Sequence, residues 1–356
     1  LKNKLQKCLS KKPTKSVFSI GHRGAPLMFA EHTAESYVAA ASMGAGILEC
    51  DVSFTKDLEL VCRHSQNDLH KTTNILTTEL SKNCSQIFIP AGDGQKAKVE
   101  CRTTDITLNE FKTLKGRLDS IDNNAASAEE YLDSSVNWRT NLYANSASTL
   151  VTHKESIKLF KKLGTKFIPE LKRSREKMPF NGFTQEDYAQ KLVDEYKNSG
   201  ILASDVWLQS FNLADIIYWI ENEPDFGKQA VFLDGRFEQN PNNLLPSMQD
   251  LEKKGVRFIA PPIWILLDQK DGRIVASEYA KEAKSAGLKI ITWTLERSGP
   301  LADGGGWYFQ TIKDLVENDG FYFEVLHSLA TEVGVEGVFS DWPATVTFYA
   351  NCMDLK

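Results

Sequence analysis

The chain is 356 residues long, 42% apolar and 25% charged, which is the make-up of a globular protein with a real core and not of a disordered chain. A formal net charge of -5 argues against a surface built to neutralise a nucleic-acid backbone and leaves room only for focal phosphate recognition. No apolar run approaches the roughly 20 residues that a membrane helix needs, and the length suits one large barrel or two domains of about 150 residues.

Residues 1–16 read as an N-terminal extension, opening at Leu1 and carrying Lys2, Lys4, Lys7, Lys11 and Lys12. A removed export signal or a trimmed chain would account for that start, and the expected location is secreted or periplasmic. From residue 17 onward, short β-rich runs alternate with longer helical stretches, the pattern of a parallel sheet wrapped by helices. The first run, 17–21, leads into Gly21-His22-Arg23-Gly24. A helix is expected over 34–43, with Thr33 as N-cap and Gly44 and Gly46 closing it.

The second run, 47–54, is the most informative because side chains alternate along a strand. Leu48, Cys50, Val52 and Phe54 face one way, and Glu49 and Asp51 the other. In a barrel the apolar set would pack on helices while both carboxylates point inward, where adjacent negative charges are costly unless neutralised. A hard divalent cation is the natural counterion. The competing reading is a half-exposed strand with an acidic solvent face.

Thr55-Lys56-Asp57-Leu58-Glu59 is too short for the crossover helix that a parallel neighbour requires. A helix is therefore missing there, or one of the flanking runs lies outside the barrel. The third run, 60–64, ends at Arg63-His64-Ser65. From about 65 to 150 the chain is polar and rich in small residues; a structureless loop of that length would be unusual, so it reads as an inserted subdomain over one barrel mouth. The six cysteines are too sparse for a disulfide-built scaffold and lack a C-x-x-C zinc signature. Cys84 and Cys101, both in the insertion, are the first expected bridge if the protein is exported, with buried free thiols as the alternative.

An amphipathic helix over 154–163, ended by Gly164, precedes the run 166–171. There Glu170 and Lys172 share a face opposite Phe167, Pro169 and Leu171, offering a third carboxylate and a cation, or else a surface pair. Further runs at 206–210, 230–233, 257–260, 289–294 and 337–340 bring the candidates to nine, where an eight-stranded barrel needs eight. His22 and His64 stand at strand ends, suited to passing protons to and from phosphodiester oxygens, and Arg23 can grip a phosphate through parallel hydrogen bonds. Trp293, Phe211 and Trp342 lie near strand ends, where they would either shape a pocket or simply pack.

The order His22-Arg23-Gly24, Glu31-His32-Thr33, Glu49-Cys50-Asp51, Thr55-Lys56-Asp57, His64, Thr72-Thr73, Glu170-Leu171-Lys172, Gln209-Ser210-Phe211, Trp293-Thr294 and Ser340-Asp341-Trp342-Pro343 resembles the glycerophosphodiester phosphodiesterase family over nearly the whole chain. The resemblance implies a distorted (β/α)8 TIM-type barrel with an inserted subdomain, and metal-dependent hydrolysis of glycerophosphodiesters, a small-molecule substrate class, to glycerol 3-phosphate and an alcohol. It also implies roles: Glu49, Asp51 and Glu170 would hold one Ca²⁺ or Mg²⁺, Arg23 and Lys172 would contact phosphate, and His22 and His64 would form the acid and base pair. Of the aromatic residues near strand ends, Trp293 is the substrate-binding candidate, on the glycerol side of the pocket. Two departures stand out. Ser65 occupies the place where the family usually has Asp, and His70-Lys71 replaces Asp-Arg before the paired threonines; a serine accepts a hydrogen bond but supplies no carboxylate. A related phospholipase C- or D-type barrel, or a silent phosphodiester-binding member, are the alternative readings.

Overall fold

The computed structural model describes residues 1–144, 148–238, 240 and 244–355. Eight strand positions form its centre. They are β1 (Ser16–Gly21), β2 (Ala45–Leu48 continued by Asp51–Phe54), β3 (Lys166–Phe167 continued by Glu170–Leu171), β4 (Gln209–Ser210), β5 (Val231–Leu233), β6 (Phe258–Ala260), β7 (Lys289–Leu295) and β8 (Gly337–Ser340). Every adjacent pair is parallel, from β1–β2 through β7–β8, and β8 pairs back onto β1, which closes the ring. The expected eight-stranded barrel is therefore present.

Both β2 and β3 are interrupted at the same level, yet they stay in one register. Ile47 opposes Lys166, and Asp51 opposes Glu170. The gap is bridged by Ile168 N–H donating to Leu48 O (3.0 Å) and Glu170 N–H to Cys50 O (3.1 Å). The ninth candidate run resolves as the stretch outside the barrel: Leu60–Cys62 folds back antiparallel onto the second half of β2, pairing Val52 with Cys62 and Phe54 with Leu60. A five-residue link permits only such a hairpin.

Local chemistry explains the neighbouring elements. Thr33 caps the helix Ala34–Ser42 by accepting from the Ser36 N–H, and Gly44 follows with φ of +91°. Gly46 has a different task from the helix-ending one expected. It lies inside β2, where a Cβ would sit 2.5 Å from the Ser16 backbone, so it permits the close approach of β1 and β2. The helix His153–Leu163 starts with a Thr152/Glu155 capping box and ends at Gly164 in the left-handed region (φ +66°).

Alternation along the strands sorts two cores. Ile20, Ile47, Ile168, Leu233, Ile291 and Phe339 fill the barrel interior. Leu48, Cys50, Val52 and Phe54 pack outward beneath the helices, on the face expected of them. The stretch between Cys62 and His153 has a separate apolar cluster around Leu69, Ile75, Phe111 and Tyr131, together with the Cys84–Cys101 bridge. All six cysteines are bridged, so the free-thiol alternative does not hold. Cys50–Cys62 ties β2 to its hairpin strand, and Cys8–Cys352 ties the N-terminal helix Lys2–Cys8 to the last helix Ala344–Met353. Their spacing carried no signal, because the partners meet only through the hairpin register and through barrel closure. No described helix is long and apolar enough to cross a membrane.

Candidate active site

The carboxyl ends of the barrel strands open into a cavity of about 850 Å³, and the chemically active residues gather there. This is the end at which (β/α)8 barrels place function, because their loops are free to vary without disturbing the ring. One wall is aromatic, from Phe211, Trp293, Tyr308 and Phe339. Polar lining comes from the insertion, including Asn67, Asp68, Lys71 and Glu100.

Glu49, Asp51 and Glu170 meet as the inward alternation required, each offering an oxygen within 4.8 Å of the others, and all three are buried. The acidic solvent face is thereby overturned. Glu49 accepts from the Arg23 N–H (3.0 Å) and from Gln209 Nε2 (2.7 Å). Asp51 accepts from His32 Nε2 at 2.9 Å, while His32 Nδ1 meets the Tyr37 hydroxyl at 2.8 Å. Lys172 lies 2.5 Å from Glu170, so the third pair is an internal one and not a surface pair.

Crowding sets the titration of this group. Burial, and then the charges of Asp51 and Glu170, push Glu49 well above the usual carboxylate range. Burial raises Glu170 to about 7 despite Lys172. Asp51 goes the other way: burial opposes its charge, but Lys172 and His32 hold it well below its ordinary value. Without a counterion, then, the crowding favours charge on Asp51 and disfavours it on Glu49 and Glu170. Asp51 Oδ1 is buried with no hydrogen-bond partner. An all-oxygen set with a dangling buried acceptor fits a hard divalent cation.

His22 sits at the end of β1 with Nδ1 2.5 Å from Asp341 Oδ1, which leaves Nε2 facing the cluster, 3.9 Å from Glu49. Burial, then Arg23, lowers its pKa, and Asp341 works against that shift. His64 is half-buried at the hairpin exit, lines the same cavity, and has its pKa held well below the ordinary value by burial, Arg23 and Lys172. The carboxylates of Glu31 and Asp68 stand within 4.8 Å of it. Asp68 also accepts from the Ser65 N–H at 3.0 Å, so a carboxylate stands near His64 although position 65 supplies none.

Arg23 bonds Glu31 (2.9 Å) and lies 3.3 Å from Asp51. Trp293 donates its indole N–H to Ala260 O (2.7 Å), leaving only its ring for the cavity. Trp342 packs on the outer core instead. All eight candidate residues thus meet in one cavity or directly behind it.

Sequence reasoning assigned no role to Arg297, Gln209, His32 or Asp341. Arg297 joins Asp341 (3.1 Å), Asp119 (2.8 Å) and Glu31 (3.1 Å) into one network, of which Arg297, Asp119 and Glu31 line the cavity. Asp341 was findable by the rule that located His22, since it directly follows a strand. Arg297 had no periodic signal.

A closed (β/α)8 barrel with a buried tricarboxylate cluster, two imidazoles and two cations at its open end is the architecture of a barrel phosphodiesterase. Comparison with known proteins narrows that class: residues 22–345 match the model of the glycerophosphoryl diester phosphodiesterase family, and the chain belongs to that family. It is accordingly a phosphoric diester hydrolase acting on small glycerophosphodiesters. A protein of Arthroderma benhamiae named "Extracellular protein" is 42% identical over 245 residues, covering 67% of this chain and all of that protein. Among solved structures, a glycerophosphoryl diester phosphodiesterase of Silicibacter pomeroyi superposes with a TM-score of 0.62 at 17% identity, covering 99% of this chain and 97% of its own. An Oleispira antarctica phosphodiesterase in complex with the product sn-glycerol-3-phosphate gives 0.56 at 19%, covering 94% and 96%. At these identities the structures speak to the fold.

Proposed function

We propose that this enzyme hydrolyses glycerophosphodiesters to sn-glycerol 3-phosphate and a free alcohol, using one divalent cation, Ca²⁺ or Mg²⁺, held by Glu49, Asp51 and Glu170. The observation that carries the reading is the convergence of these three carboxylates with His22, His64, Arg23 and Lys172 on one cavity. The cation supplies Lewis-acid charge stabilisation to a phosphoryl group whose anionic oxygens repel nucleophiles. Arg23 and Lys172 add donors for the same oxygens. Asp341 fixes the His22 tautomer, so that one ring nitrogen is committed to the cluster side. His22 and His64 divide the proton transfers, one taking a proton from the attacking oxygen and the other giving one to the departing alcohol.

The aromatic wall with Trp293 receives the glycerol carbons, and the insertion side, variable by nature as a loop-built surface, selects the alcohol. Residues 65–150 act as one inserted unit on the barrel of residues 17–356. Three disulfides, with an extracellular namesake among the relatives, favour work in an oxidising compartment outside the cytoplasm, secreted or periplasmic.

The test is turnover of glycerophosphocholine by chelator-stripped protein with Ca²⁺ or Mg²⁺ restored, beside a His22→Ala control. The reading requires cation-dependent release of glycerol 3-phosphate that the control loses. Binding without turnover in both proteins would refute it in favour of a silent phosphodiester-binding member, and cleavage of intact phospholipid alone would favour the phospholipase reading.

A further inference from the structure

The two imidazoles are held in different ways. His22 is locked by a 2.5 Å bond to Asp341. Among the described residues, by contrast, no hydrogen bond fixes the His64 ring, although Glu31 and Asp68 stand close. Its position is set instead by the backbone that delivers it, the strand Leu60–Cys62 followed by Arg63. That strand is three residues long and lies outside the closed ring. On its other side it meets the segment before the helix His153–Leu163, through Cys62 N–H donating to Val151 O at 3.1 Å and an isolated pairing of Val61 with Thr152, so only a few ladder bonds on either side oppose fraying.

The buried Arg63 side chain donates to the carbonyls of Cys62, Thr72 and Glu31, and a covalent fastening is added to these bonds. Cys62, two residues before His64, is bridged to Cys50, and Cys50 stands between Glu49 and Asp51 at the interruption of β2. Both cysteines are buried, with a Cα–Cα separation of 5.3 Å. One residue further on, the Arg63 N–H donates to Asp51 O at 2.8 Å. The bridge thus joins the strand bearing two of the acidic groups to the strand bearing one of the imidazoles, at the interruption of β2 that the Glu170 N–H to Cys50 O bond spans.

We propose that the Cys50–Cys62 disulfide is a positioning element of the active site, holding His64 at a fixed reach from the Glu49/Asp51/Glu170 cluster. This rests on the role assigned above to His64. A displacement of about 1 Å between reacting groups costs on the order of 10²-fold in rate, so loosening the hairpin acts on the chemical step before it acts on the fold. The other two bridges have no such placement: Cys84–Cys101 lies within the insertion, and Cys8–Cys352 joins terminal helices.

The experiment is a double-mutant cycle at a temperature well below unfolding, pairing Cys50→Ala/Cys62→Ala with His64→Ala, and using Cys8→Ala/Cys352→Ala as the control for losing a bridge. Removing Cys50–Cys62 is expected to lower kcat by about 10- to 100-fold while KM and calorimetric cation affinity stay within about twofold. In the His64→Ala background the same removal is expected to cost nothing further, because the group it positions is already gone. A bridge that serves only stability would lower both backgrounds alike or neither. Unchanged kcat in the Cys50→Ala/Cys62→Ala protein, or an equal loss with and without His64, overturns the proposal. If His64→Ala alone leaves kcat intact, it is the role given to His64 that fails, and the two failures are thereby told apart. Should the double alanine protein fold poorly, Cys50→Val/Cys62→Ala restores apolar volume on the packed face, and the cycle is read from that pair.

Discussion

Replacing Glu49 by Gln separates the demands of folding from those of the cation. In the metal-free protein burial and its two acidic neighbours disfavour the charge on Glu49 and push it well above the carboxylate range, and the amide mimics the uncharged form in shape. The variant keeps an acceptor for the Arg23 N–H or for Gln209 but not for both equally well, a cost of about 1 kcal/mol. Cation binding is different. Ca²⁺ takes carboxylate oxygens at about 2.4 Å, so at an effective dielectric of about 20 a third carboxylate would add about 14 kcal/mol of attraction. With the oxygens no more than 4.8 Å apart, that carboxylate is repelled by its two neighbours, when both are charged, by at least about 7 kcal/mol in total. The attraction wins, and after the cost of charging Glu49 a few kcal/mol of the difference survive, or about 10²- to 10³-fold in Kd. Thermal unfolding with and without Ca²⁺ or Mg²⁺ reads both halves. Wild type at 100 times its Kd gains about 2.7 kcal/mol, while Glu49→Gln should lie within about 1 kcal/mol of the metal-free wild type and gain almost nothing from the cation. Glu49→Gln protein that retains the full cation-induced shift and turnover would refute the cation-binding role.

Three further outcomes are expected. Asp341→Asn, which leaves His22 without its anion and with the wrong tautomer favoured, should lower kcat for glycerophosphocholine by about 10²- to 10⁴-fold at little change in KM; a loss under tenfold removes Asp341 from the mechanism. Glu296 is buried, accepts from Ser340 at 2.7 Å and has its pKa raised by burial from 4.5 to about 8. The folded state therefore binds its proton more tightly, and the stability it contributes is complete below about pH 4.5 and is lost as pH rises through about 8. Glu296→Gln should flatten the decline in denaturation midpoint between those limits, and an unaltered slope would refute the assignment. Cys84→Ala/Cys101→Ala opens a loop spanning 17 positions and should cost about 3 kcal/mol in denaturant unfolding, with kcat close to wild type; a loss below about 1 kcal/mol would show that the insertion's apolar cluster holds without it.

The barrel was legible where local rules decide. Inward Glu49 and Asp51, the Thr33 cap and the Gly164 stop all follow from period-two alternation or end chemistry acting within a few residues, and the structure places them as that reasoning requires. What stayed hidden depends on closure. Cys8 and Cys352 are 344 positions apart and become neighbours only because β8 returns to β1. Gly46 looked like a helix stop, yet its constraint comes from the Ser16 backbone across the sheet. The same holds inside the site, where His32 reads as one more loop histidine until the fold brings it to Asp51, and where a turn that the sequence pattern did not announce brings the Asp68 carboxylate back to the Ser65 N–H and close to His64.

A ring of strands has one seam where the first meets the last, and the clasp between residues 8 and 352 sits beside it. The chain is thereby turned into a covalent hoop containing nearly every residue. A protease that cuts one surface loop releases no fragment from such a hoop, since both new ends remain tethered to the same closed circuit. Nicked molecules would run intact on a non-reducing gel and separate only after reduction, a form of durability independent of how much apolar surface the barrel buries.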